Sequence, residues 1–360
     1  MAFTYTPEQE QLRELVRRAC GDVARNRTAN ESGVRGDPEL WGDLRDAGLL
    51  SLGLAEHRGG AGGGIVDQVV VAQELGRVAS PAPFVSSTMM AGRLLADAVS
   101  HRGVVEALGT GVVIACAIDQ PASMPVTGSA DGATVTGVAR HVVDGPLADR
   151  LLVAGTLDGR TVVGLVDVDN RGVDRMDHPS IDRGRELSTV TFEAAPIDLV
   201  TGNGDWDERI REAVRVGCVG LAAESAGLAQ HCLAMSRDYA LTRRQFGEVI
   251  GQFQATKHRL ADMLVLVENA NAAVELGAFA LAGNGDDVEL SVAAAKATAT
   301  EAAVRVCGEA IQLHGGIAIT WEHDLHLHLR RAKTNQQLLG EPTVHREAIA
   351  SRLLATAGAR

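Results

Sequence analysis

A block of short β-branched runs interrupts an otherwise helical chain, and this order narrows the folds open to it. From Val112 to Val200 the chain carries Val112-Val113-Ile114-Ala115, Arg150-Leu151-Leu152-Val153-Ala154, Thr161-Val162-Val163-Gly164-Leu165-Val166 and Thr189-Val190-Thr191-Phe192, parted by Gly, Asp and Pro. β-Branched residues are stiff at χ1 and suit a pleated surface, so the block predicts an antiparallel barrel or sandwich. Asp131-Gly132 and Asp158-Gly159 are hairpin-turn dipeptides.

The flanks have a helical period. Thr6-Pro7-Glu8-Gln9 predicts a helix start, with Thr6 as N-cap and Pro7 at the first position. Leu12, Leu15, Val16 and Cys20 follow at helical spacing, and Trp41, Leu44 and Leu49-Leu50 mark a second helix. The Gly-rich loop from Arg58 to Gly64 lacks the Lys-Ser/Thr of a phosphate cradle, so it reads as a turn between helices. Helices are expected from Val66 to Gly76 and from Thr88 to Leu108. From Trp206 onward, Ala/Leu/Val-rich stretches predict a helical bundle, broken at Gly283-Asn284-Gly285-Asp286-Asp287. The expectation is an α+β multidomain chain: a helical domain over 1–110, a middle antiparallel β-barrel over 111–203 and a four-helix bundle over 204–360.

Bulk properties exclude several classes. The formal charge of −12 comes without a long basic run, which argues against nucleic-acid binding. Cys20, Cys116, Cys218, Cys232 and Cys307 are scattered, with no CxxC, so neither a disulfide framework nor a zinc site is expected. The N-terminus lacks the basic start and apolar core of a signal peptide. The best candidate for a membrane span, Val214 to Met235, carries Arg215, Glu224 and His231. A cytoplasmic protein without membrane partners is expected.

Two segments of the last helical region carry chemistry. The first is Arg243-Arg244-Gln245-Phe246-Gly247, followed by Ile250-Gly251-Gln252-Phe253-Gln254 and His258-Arg259-Leu260-Ala261-Asp262-Met263. The second runs from Gln312-Leu313-His314-Gly315-Gly316 to Trp321-Glu322-His323. A guanidinium such as Arg243 presents planar N–H donors that match a pyrophosphate. Gly315-Gly316 lets the backbone approach a ligand that any Cβ would push away. Gln312 adds a polar side chain three residues ahead of the pair. The plainer reading is a surface arginine and a helix stop.

In this order and at this distance, the two segments resemble the C-terminal domain of the acyl-CoA dehydrogenase flavoproteins. Helices, then strands, then helices is also that family's order, so the resemblance covers nearly the whole chain. It implies FAD as cofactor, an acyl-CoA thioester as substrate, α,β-dehydrogenation as reaction and electron-transfer flavoprotein as acceptor. It further implies that Arg243, Phe246, Gln312, Gly315 and Gly316 contact the ADP half of an FAD held mainly by a neighbouring subunit. His323, His326 and His328 lie in a segment similar to a structural helix of the family. On a helix His328 points roughly 140° away from His323, which disfavours a shared metal.

The same resemblance exposes an absence. Most members carry the catalytic Glu shortly after the Gly-Gly pair, and the position here is Leu339, followed by Gly340. Glu341 lies two places late and is a weak candidate base. A second group of members carries the base on an earlier helix, where this chain has Gly217-Cys218; Glu212 and Glu224 are offset and expected on the helix surface. The family's flavin-ring segments align with Asp119-Gln120-Pro121-Ala122-Ser123 and with His141-Val142-Val143-Asp144-Gly145. There Val143 replaces a threonine that could hydrogen-bond the ring. Three readings follow. The chain is the shorter, base-less subunit of an α2β2 assembly like those of bacterial sterol side-chain degradation. Or it is a self-sufficient homotetramer with a relocated base, Glu341 first and Glu212 second. Or it is a non-redox scaffold of the same fold.

Overall fold

A computed structural model describes residues 5–21, 35–96, 98, 102–118, 121–129, 132–201, 205–285 and 287–358. The helices are α1 (Pro7–Cys20), α2 (Pro38–Asp46), α3 (Ile65–Arg77), α4 (Gly92–Leu95), α5 (Arg102–Gly109), α6 (Trp206–Thr242), α7 (Gln254–Phe279), α8 (Val288–His314), α9 (Leu325–Gln337) and α10 (Pro342–Gly358). The strands of the central block are β1 (Ile114–Ala117), β2 (Val126–Thr127), β3 (Thr134–Val143), β4 (Arg150–Leu157), β5 (Arg160–Asp167), β6 (Val173–His178), β7 (Leu187–Pro196) and β8 (Asp198–Leu199). The chain divides into two compact units. A β unit comprises Gly33–Gly64 and Pro81–Gly217; a helical unit comprises Met1–Ser32, Ile65–Ser80 and Cys218–Arg360.

In the β unit the strands form two four-stranded sheets, ordered β1-β4-β5-β8 and β2-β3-β7-β6. Val135, Val190 and Phe192 of one sheet share a core with Leu151, Val153 and Val166 of the other, so the block is a sandwich. One pair, β1 with β4, is parallel where an antiparallel pairing was expected. β2 and β3 lie in the other sheet, so β4 returns beside β1 after a long crossover rather than a hairpin. Asp158 and Gly159, with φ of 50° and 75°, make the expected two-residue turn from β4 to β5. Asp131 lies outside the described residues.

The helix expected from Thr88 to Leu108 is divided. A π-helical stretch, Phe84–Ala91, runs into α4, and α5 begins at Arg102. The Ala98 amide bonds back to the Leu95 carbonyl at 3.0 Å, which closes the turn, while Arg58 takes the Ala98 carbonyl.

In the helical unit α1 opens with a capping box. The Gln9 amide donates to Thr6 Oγ1 at 3.3 Å and the Thr6 amide to Gln9 Oε1 at 3.0 Å. Glu74 ties α1 to α3, accepting from Arg17 at 2.7 and 2.9 Å and from Arg77 at 3.1 Å. Helices α3 and α6 cross at glycines: a Cβ on Gly76 would lie 2.1 Å from the Glu224 carbonyl oxygen, and one on Gly227 2.0 Å from that of Gln73. This close crossing helps bury Glu224, which was expected on the helix surface; its carboxylate accepts from Asn335 Nδ2 of α9 at 3.1 Å. Leu228, Met263, Val267, Val306 and Leu325 centre the core of α6 to α9.

Among the described residues one helical stretch, Gln254–Asn284, is long and apolar enough to cross a membrane by length and composition, rather than the Val214 to Met235 segment expected from the sequence. Its Met263, Val267 and Val274 face the core, while Leu264, Val265, Leu276 and Phe279 are exposed. Gly283, with φ of 83°, ends it at the break expected from the sequence.

Candidate functional site

Helix α6 delivers the first motif. The Arg243 amide still donates to the Tyr239 carbonyl, at 2.8 Å, so the helix fixes where Arg243 departs. Arg244–Gln245 (β9) and Glu248–Val249 (β10) pair as a hairpin, and the Ile250 amide donates back to the Arg243 carbonyl at 2.8 Å. The turn residues Phe246 and Gly247 both have left-handed φ, 53° and 84°. Glycine adopts that conformation freely; a bulky residue does not, and such strain gathers at functional sites. Phe246 is 92 % exposed and meets Phe253 edge-on at 6.2 Å. The Arg243 guanidinium is exposed and has no side-chain partner among the described residues.

Helix α8 delivers the second. It stops at Gly315, whose amide donates to the Ile311 carbonyl and whose φ of 66° needs no Cβ. A Cβ built on Gly315 or Gly316 meets nothing within 4 Å, so the backbone there faces open space. Gln312 is exposed, and its amide has no partner among the described residues. Ile317, Ile319 and Trp321 are exposed beside it, while Ala318 anchors the turn in the core.

An aromatic contact joins the two motifs. The rings of Tyr239 and His314 stack at 4.3 Å with 22° between planes, and His323 meets His314 at 5.0 Å. His314 Nδ1–H donates to the Ala310 carbonyl at 2.8 Å, and burial lowers its pKa, which keeps the ring neutral. Arg243, Phe246, Gln312, Gly315 and Gly316 therefore lie at adjacent helix ends of one unit. The sequence reading missed Tyr239 and His314. The signal was there: Tyr239 is one helical turn before Arg243, and His314 lies inside the second motif. A free guanidinium, an open amide, bare backbone and an exposed ring together suit a ligand with a diphosphate and a heteroaromatic ring, which FAD has.

The places where the family keeps its base are built differently. Leu339 is half-buried with φ of 55°, and its carbonyl accepts from His345 Nε2 at 3.0 Å and from the Cys218 thiol at 3.8 Å. Lys296, 0 % exposed, donates to the Gly340 carbonyl at 2.9 Å and to that of Gln336 at 3.3 Å. Burial pulls its ammonium down to about 8. Burial likewise pushes the Cys218 thiol up to about 11, against the nearby Lys296, so it is no base at neutral pH. Glu341 is exposed at the start of α10, and its carbonyl accepts the Val344 amide at 3.0 Å. Glu212 pairs with Arg93 within the β unit.

In the β unit Val143 is paired with Leu187 across β3 and β7, and Asp144 is buried, accepting from Ser86 Oγ at 2.6 Å. Asp119 and Gln120 lie outside the described residues. The three histidines of the Trp321–Lys333 segment turn to different neighbours. His323 faces His314, and His326 meets Trp321 at 5.1 Å. His328 is buried, stacked on His231 at 5.0 Å.

Residues 208–354 match the family "Acyl-CoA dehydrogenase, C-terminal domain", and residues 6–103 match "Acyl-CoA dehydrogenase, N-terminal domain". Acyl-CoA dehydrogenase IpdE2 of Mycobacterium tuberculosis is 33 % identical over 349 residues, covering 94 % of this chain and 95 % of its own. Among solved structures, the ChsE4–ChsE5 complex from Mycobacterium tuberculosis superposes with a TM-score of 0.88 at 27 % identity, covering 98 % of this chain and 99 % of that one. The Tcur3481–Tcur3483 steroid ACAD, a variant form, superposes at 0.87 and 25 % identity, covering 98 % and 99 %.

Proposed function

The chain belongs to the acyl-CoA dehydrogenase family, whose members are FAD-dependent oxidoreductases, and from that premise we propose that it is a base-less subunit completing the FAD site of a related, catalytic partner chain. The observation that carries this is the contrast between the two half-sites. The clasp residues are exposed, and the Arg243 and Gln312 side chains have no partner among the described residues, whereas the base positions are filled by Leu339 and by buried Gly217-Cys218.

Bound FAD supplies the acceptor for the hydride that leaves Cβ of the thioester. This chain's residues hold its ADP half. Arg243 would pair with the pyrophosphate, and Gln312 would take a polar edge of the nucleotide. Gly315 and Gly316 would admit the ligand to the backbone, with the exposed Phe246 ring available to it from the hairpin. The proton from Cα goes to a carboxylate of the partner, because no acid of this chain occupies either family position. The exposed Ile317, Ile319 and Trp321 beside the clasp give the partner an apolar surface to bury.

A steroid-derived acyl-CoA is the proposed substrate, supported by the likeness to the steroid ACAD, and an α2β2 assembly by the likeness to the ChsE4–ChsE5 complex. Electrons leave to an electron-transfer flavoprotein. The cysteines of the described residues form no disulfide, which suits the reducing cytoplasm.

The test is acyl-CoA-dependent bleaching of the flavin in the two-chain assembly. Neutralising the partner's carboxylate is expected to abolish bleaching, by roughly 10³-fold or more for a lost base. Glu341→Gln or Glu212→Gln in this chain is expected to change it less than about twofold. Loss of bleaching on Glu341→Gln would return the base to this chain.

A further inference from the structure

We infer that Tyr239 and His314 form a brace that sets the spacing of the clasp, and that they are positioning residues for the cofactor; this rests on the clasp proposed above. Tyr239 carries Arg243 through its carbonyl, which accepts the Arg243 amide at 2.8 Å one turn later. His314 is bonded directly to Gly315. Any separation of the two rings is therefore passed on to the guanidinium on one side and to the bare glycine backbone on the other.

The geometry leaves little slack. The rings are 4.3 Å apart and nearly parallel. His314 is buried, and its Nδ1–H bond to the Ala310 carbonyl fixes the side-chain torsions. Its other neighbour, His323, is itself held, since the Leu325 amide donates to His323 Nδ1 at 3.3 Å. A phenylalanine at position 314 would keep the stack but forfeit the bond that stops the ring from swivelling. Ordinary core packing does not predict that difference, because a phenyl ring fills nearly the same space.

The experiment measures FAD release from the two-chain assembly by recovery of flavin fluorescence, with thermal unfolding of each variant beside it. An aromatic pair of ordinary strength corresponds to about tenfold in a rate or affinity. His314→Ala and Tyr239→Ala are each expected to speed release about tenfold, and the double variant by little more than either alone, because both remove one contact. His314→Phe is expected to lie between His314→Ala and the wild type. Val306→Ala, which opens a cavity in the core of α8, is expected to lower the melting temperature and leave release unchanged.

If Arg243→Ala speeds release while His314→Ala does not, the brace is overturned and the clasp stands. If Arg243→Ala releases FAD at the wild-type rate, the clasp falls and the brace with it. If Val306→Ala releases FAD as fast as His314→Ala, or if the two ring deletions add in full, the stack has no positioning role.

Discussion

A Cβ added at Gly316 meets nothing of the described protein within 4 Å, so its immediate surroundings give this glycine no reason to be bare. A ligand does. Gly316→Val is expected to keep the melting temperature within about 2 °C, as for an exposed position with room for a Cβ. Flavin retention should nonetheless fall at least about tenfold, as for an interaction of 1.4 kcal/mol or more removed by contact. Flavin content after gel filtration checks it. His231 makes a different single-residue prediction. Burial, then His328 and Arg77, hold its folded pKa down at about 3. The unfolded imidazole titrates near about 6.5. Between these values the unfolded state binds the extra proton, so stability is lost as pH falls from 6.5 towards 3. The loss is about 5 kcal/mol across the window. Urea midpoints from pH 7 down to pH 4 should show this slope in the wild type and a much smaller one in His231→Gln.

At the level of elements, the end of α9 depends on one buried amine. Lys296 reaches from α8 to the carbonyls of Gln336 and Gly340, groups that a helix end leaves without partners. Its folded pKa, about 8, lies below the unfolded value near about 10.4. The unfolded state therefore binds more protons between pH 8 and 10.4, and stability rises with pH through that window. Lys296→Met is expected to cost about 1–3 kcal/mol at pH 7, through the carbonyls left unpaired, and to abolish the rise. Denaturation curves at pH 7 and pH 10 decide it. Elements governed by neighbours in sequence were legible in advance. The N-cap at Thr6, the Asp158-Gly159 hairpin and the stop at Gly283 follow from local chemistry. The break after Leu95, the parallel β1–β4 pair and the burial of Glu224 depend on partners distant in sequence, so no local pattern announced them. The clasp divides likewise: Arg243 and the glycine pair could be read as motifs, but the Tyr239–His314 stack only exists once α6 and α8 have packed.

For the whole molecule, the helical unit leaves apolar residues in water on two helices, Leu264, Val265, Leu276 and Phe279 on α7 and Val344, Leu353 and Leu354 on α10. Exposed apolar area of this kind suits burial against another chain. The proposed division of labour between unlike chains rests on the family membership, the exposed clasp residues and the non-acidic Leu339 and Gly217-Cys218 at the family's base positions. The measurement that tests it most directly is the visible spectrum and native mass of the purified chain, alone and after co-expression with a related acyl-CoA dehydrogenase chain. The divided-site account predicts a colourless chain alone and a yellow α2β2 assembly with one FAD per pair of unlike chains. A yellow homotetramer of this chain alone, bleached by an acyl-CoA, would contradict it.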